Sequence, residues 1–120
     1  MILVDTNAWV AHIRRADRRL VGLLEQNRVF TCDVVLGELA LGAGIPPALR
    51  RDLALLPAIG CPTVAQTKAF VERHRTLFAA SGVGWADAEI IVTASEAGAL
   101  LYSGDEAVRT VWRKLGYRLA

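Results

Sequence analysis

Apolar positions follow two rhythms along the chain. Ile2-Leu3-Val4 and Leu100-Leu101-Tyr102 are short, nearly unbroken apolar runs, the pattern of strands buried on both faces of a parallel sheet. Val29-Phe30 reads as a further strand. Between these runs the apolar residues recur at helical spacing. A helix or helix pair is expected from about Asn7 to Asn27, with a break near Ala16-Asp17. Thr31 or Asp33 is placed to cap a helix carrying Val34, Val35, Glu38, Leu39 and Leu41, and Gly42-Ala43-Gly44 ends it. Pro46-Pro47 opens a helix reaching about Leu56. A short extended piece follows around Ile59. Thr63 to Ala80 reads as one long helix, and Trp85 to Glu96 as another that stops at Gly98. Ser103 and Glu106 have capping-box spacing at the start of a helix running to Leu115, after which Tyr117-Arg118-Leu119 forms a terminal strand. Strands alternating with helices, with no repeat or linker, predict a single α/β domain over residues 1–120 with a mainly parallel sheet.

Polar exceptions to this pattern carry the chemistry. In an open parallel sheet, ligands sit beyond the carboxyl ends of the strands. Asp5 and Asp105 both occupy such positions. Glu38 shares a helical face with Val34, Val35 and Leu41, so that face is expected to turn inward. Asp87 shares a face with Ile90 and Ile91 in the first turn of its helix, where unpaired backbone N–H groups favour negative charge. Each acid has a plainer explanation: a helix cap for Asp5 or Asp105, a first-turn acid for Asp87, a buried ion pair for Glu38. Converging together, however, they repel one another and need a counter-charge. All-oxygen ligation favours a hard divalent cation, Mg²⁺ or Mn²⁺, over zinc.

The composition narrows the choice. The hydrophobic fraction is 53%, enough for a true core. Cys32 and Cys61 provide neither a disulfide framework nor zinc spacing, so a reducing cytoplasmic setting is expected. No apolar run is long enough to span a membrane. His12 and His74 have no ligand-pair spacing, and a phosphate-binding Gly-rich loop is absent. The net charge is only +2, but Arg14, Arg15, Arg18 and Arg19 form one basic cluster, a candidate RNA contact or simply a solvated face. Arg109, Arg113, Lys114 and Arg118 form a second. A carboxylate site without a protein nucleophile points to attack by water, and with basic groups outside it, to phosphodiester hydrolysis.

Met1 to Val10 with Asp5-Thr6-Asn7 at its centre, Glu38, Gly84-Trp85-Ala86-Asp87-Ala88 and Ser103-Gly104-Asp105, in that order, resemble the PIN-domain nucleases and, among them, the VapC-like toxins of bacterial toxin–antitoxin pairs. The resemblance implies a three-layer α/β/α sandwich and divalent-metal-dependent endoribonuclease activity. It also implies homodimer formation and neutralisation by a cognate antitoxin. It makes Asp5, Glu38, Asp87 and Asp105 the catalytic and metal-holding set, with Thr6 and Asn7 in support. Ser103 stands where many members have threonine, which keeps the hydroxyl. Two other readings compete. One is a catalytically inactive PIN-fold domain that binds nucleic acid or protein. The other is a phosphohydrolase using Asp5 as nucleophile, which Asn7 disfavours because such enzymes carry Asp-x-Asp there.

Overall fold

The computed structural model describes every residue except Ala43. Its central sheet is formed by β1 (Ile2–Val4), β2 (Val29–Phe30) and β3 (Leu100–Tyr102), in the order β2-β1-β3, with both pairings parallel. Isolated parallel bridges extend it at both edges: Thr31 pairs with Ala58, and Leu101 with Leu119. These are the extended pieces expected around Ile59 and at the C-terminus, reduced to single bridges. Ile2, Leu3 and Val4 have no exposed surface, which explains why β1 is apolar at every position rather than at alternate ones.

Eight helices lie among the described residues: α1 (Thr6–Arg14), α2 (Arg18–Glu25), α3 (Asp33–Leu41), α4 (Pro47–Ala54), α5 (Val64–Arg73), α6 (Arg75–Ser81), α7 (Trp85–Ala97) and α8 (Glu106–Lys114). Right-handed crossovers between parallel strands put α1 to α4 on one face of the sheet and α5 to α8 on the other. Most helix contacts fall within these layers: α1 packs on α3 and α3 on α4, while α5 packs on α7 and α8 on both α6 and α7; α3 also meets α7 of the other layer. The result is a three-layer α/β/α sandwich. Trp9, Phe70 and Trp112 are all core residues, and Val108, Val111 and Trp112 form the buried stripe of α8.

Four local expectations need correction. Thr63 to Ala80 is not one helix, because the backbone breaks at His74 (φ −121°, ψ 33°). In an unbroken helix Phe70 and Phe78 would point about 80° apart around the axis. The break lets both rings reach the core and meet edge-on at 6.3 Å, with His74 against Phe70 at 4.9 Å. The cap of α3 is Cys32 rather than Thr31 or Asp33, and it makes no side-chain capping bond. Leu41 is 90% exposed, since the inward stripe of α3 consists of Val35 and Leu39. Finally, Ser103 does not cap α8; Asp105 does. The helix α3 does end at Leu41 with Gly42 as C-cap, while Ala43 of the expected Gly-Ala-Gly stop lies outside the described residues.

Candidate active site

Strand–helix junctions at the carboxyl ends of β1 and β3 place two of the acids. Asp5 follows β1 directly and stands at the N-cap position of α1, but its side chain makes no capping bond. Its plain explanation as a cap therefore fails. Although 2% exposed, the carboxylate has no basic partner among the described residues; Oδ2 accepts a hydrogen bond from Ser103 Oγ at 2.7 Å. Burial pushes the Asp5 carboxyl up from 3.8 to about 6; the Ser103 bond opposes the rise, and the charges of Asp87 and Glu38 add to it.

Asp105 does act as a cap. Its Oδ1 accepts from the backbone N–H groups of Ala107 at 2.9 Å and Val108 at 3.2 Å. The same Ser103 hydroxyl accepts from Asp105 N–H at 3.1 Å, so one side chain ties both strand-end acids together. This is why Ser103 is unavailable for the capping box its spacing suggested. A Cβ added at Gly104 would come within 3.0 Å of Asn7 Oδ1, which places the exposed Asn7 directly against the turn carrying Asp105.

The other two acids come from helices that pack together, Glu38 from α3 and Asp87 from α7. Glu38 is half-buried with no ion pair among the described residues. Its Oε1 instead accepts from Thr6 Oγ1 at 2.7 Å, linking α3 to the start of α1. Asp87 sits in the first turn of α7, half-buried, and its carboxyl is raised above the usual range by burial first, then by Glu38 and Asp105. Asp5 thus feels Asp87 and Glu38, and Asp87 feels Glu38 and Asp105, so all four acids share one electrostatic neighbourhood. The N-termini of α1, α7 and α8 carry or adjoin three of these acids, and their partial positive charge offsets part of the repulsion.

The donor chemistry of this group, four carboxylates with two hydroxyls holding them, suits a hard cation. Among the described residues, however, no three or more Asp, Glu, His or Cys side chains are gathered closely enough to hold a metal ion.

Over residues 2–113 the chain matches the PIN domain family. The chain belongs to the PIN-domain family. Within it, two similar proteins are Ribonuclease VapC32 of Mycobacterium tuberculosis strains CDC 1551 / Oshkosh and ATCC 25618 / H37Rv, each 33% identical over 121 residues, which spans 100% of this chain and 97% of each relative. Among the described residues, no helix is long and apolar enough to cross a membrane.

The arginines of the first basic cluster do not act as a block. Arg14, Arg15, Arg18 and Arg19 are all exposed, and only Arg19 turns to the site side, its guanidinium 5.7 Å from the centre of the Tyr102 ring. Two features of this corner were missed from sequence. Tyr102 read only as strand, yet its hydroxyl donates to Asp17 Oδ2, which holds the Asp17 carboxyl below its usual value. Arg109 was one member of a basic group, yet its Nη1 donates to the Ser103 carbonyl at 3.5 Å. The signal for Arg109 was its position four residues after Asp105, which puts both on one face of α8.

Proposed function

We propose that this PIN domain is a divalent-metal-dependent endoribonuclease that hydrolyses RNA phosphodiester bonds and acts as a toxin restrained by a cognate antitoxin. The observation that carries the reading is Asp5: a buried carboxylate at the end of the central strand, unused as a helix cap and unpaired with any base among the described residues. A group left in that state costs stability unless a cation enters. The ribonuclease name of the 33% identical relatives supports the same reading.

Asp5, Asp87, Asp105 and Glu38 are the residues that would hold Mg²⁺, or Mn²⁺ in its place. The cation, when bound, supplies acidification and orientation of the attacking water and charge neutralisation at the phosphate. The chain's own groups set the stage. Ser103 fixes one oxygen of Asp5 and the backbone of Asp105. Thr6 fixes one oxygen of Glu38, which leaves the other oxygen free to take a proton from water. Asn7, exposed beside Gly104, faces solvent at the lip of the site and is placed to contact the substrate or its water.

A homodimer and an antitoxin contact fit the exposed apolar residues, chiefly Leu41, Leu55 and Val64 at 90%, 83% and 66% exposure. The function is tested by incubating purified protein with total RNA and Mg²⁺ or Mn²⁺ and mapping the product ends. Cleavage by wild type that is absent from Asp5→Asn supports it. Equal cleavage by the two proteins refutes it.

A further inference from the structure

A cavity of about 180 Å³ opens beside Ser103, its polar wall formed by Asp17, Arg19 of α2, Tyr102, Ser103 and Arg109. Its two arginines come from the two separate basic clusters of the sequence, brought together by the fold. Arg19 has no ion pair among the described residues, and Arg109 has only a long one. Arg19 lies over the Tyr102 ring, and the acid closest to it in sequence, Asp17, has both oxygens engaged: Oδ1 caps α2 through the N–H groups of Arg19 and Leu20, and Oδ2 accepts from Tyr102. Arg109 reaches Glu106 only at 3.8 Å, on a well-exposed carboxylate, and its buried Nε has no hydrogen-bond partner. The Tyr102 hydroxyl, locked by Asp17, fixes the ring that supports Arg19.

Ser103 joins the cavity to the site. Arg109 bonds to the Ser103 carbonyl, while the Ser103 hydroxyl bonds to Asp5. Through Ser103 this corner adjoins Asp5. Guanidinium forks match phosphate oxygens in pairs. We infer that Arg19 and Arg109 form a phosphate subsite that binds the RNA backbone beside the scissile bond. This rests on the ribonuclease reading and adds to it the residues that seat the strand. It also separates Arg19 from Arg14, Arg15 and Arg18, which do not line the cavity.

The test is steady-state cleavage of a labelled single-stranded oligoribonucleotide pool by the metal-loaded protein over a range of KCl. Arg19→Gln and Arg109→Gln are each expected to raise KM about ten-fold, with kcat changed by less than about three-fold, because the contact is made before and during reaction alike. Each should also lower the slope of log KM against log salt by about 0.7, the share of one single-strand phosphate contact. Arg109→Lys should restore that slope, which a packing role for the guanidinium would not require. Arg28→Gln, at the opposite end of the sheet where the Arg28 carbonyl accepts from Ile2 N–H, should match wild type. Should Arg109→Gln fail to fold, Arg19→Gln, at an exposed position of α2, carries the test alone. Cleavage with unchanged KM and salt slope in the Gln variants overturns the subsite but leaves the ribonuclease intact. The same kinetics together with lost binding of polyglutamate would make the corner a protein-docking site and overturn it equally. A wild-type protein that cuts no RNA would remove both.

Discussion

Replacing Asp5 by Asn should make the metal-free protein more stable near neutral pH, while destroying its activity. Burial raises the Asp5 carboxyl from 3.8 to about 6 in the folded chain. The folded state therefore holds this proton more tightly than the unfolded state does. Stability from the group is fully present below about pH 4 and is lost as pH rises through about 6. The difference corresponds to about 3 kcal/mol, a large share of the 5–15 kcal/mol typical of a domain. Asp87, also raised, adds to the loss in the same direction. Asp17, whose carboxyl is lowered by the Tyr102 hydroxyl, works oppositely, but its effect lies below about pH 4 and outside this window. An Asn at position 5 keeps an oxygen to accept from Ser103 and carries no charge to bury. Urea unfolding followed by tryptophan fluorescence in EDTA, from about pH 4 to about pH 8, should show wild type losing stability. Asp5→Asn should lose much less and exceed wild type by up to about 3 kcal/mol at the upper end. Wild-type stability that holds steady or climbs across this range would refute the reasoning, as would an identical pH dependence in both proteins.

Other substitutions separate charge from structure. Asp105→Asn preserves a good N-cap and should change stability by only a few tenths of a kcal/mol while abolishing cleavage, whereas Asp105→Ala should also lose about 1 kcal/mol, read by thermal melting. Ser103→Ala removes the hydroxyl from the buried Asp5 carboxylate, so the Asp5 titration seen by carboxyl-carbon NMR should move still higher. Thr6→Val, which frees Glu38, should lower kcat more than it raises KM in RNA cleavage assays. If the exposed leucines Leu41 and Leu55 form a subunit contact, Leu41→Asp combined with Leu55→Asp should shift a sedimentation profile toward monomer; an unchanged profile would refute that contact.

Much of this arrangement was legible because the strands are short and the central one, β1, is wholly buried. An apolar run such as Ile2-Leu3-Val4, rich in β-branched residues, suits a covered parallel strand, and an acid directly after such a strand stands at a sheet end. The inward reading of Glu38 came from spacing on α3, but spacing does not say where the buried stripe stops, and Leu41 falls outside it. The break at His74 left no Gly or Pro mark, because tertiary packing of Phe70 and Phe78 decides it. The exchange of roles between Ser103 and Asp105 was hidden for a similar reason. Both are good caps locally, and only the nearness of Asp5, 98 positions away in sequence, draws the serine hydroxyl elsewhere. That Arg19 and Arg109 line one cavity depends on how α2 and α8 meet the end of β3, which one-dimensional patterning does not encode.

The most direct measurement is calorimetric titration of Mn²⁺ into the metal-free protein. Saturable binding to wild type that disappears in Asp5→Asn and Asp87→Asn, and persists in the exposed surface variant Glu72→Gln, is the expected result. Binding of equal strength in all four proteins, or none in wild type, would contradict a cation held by these acids.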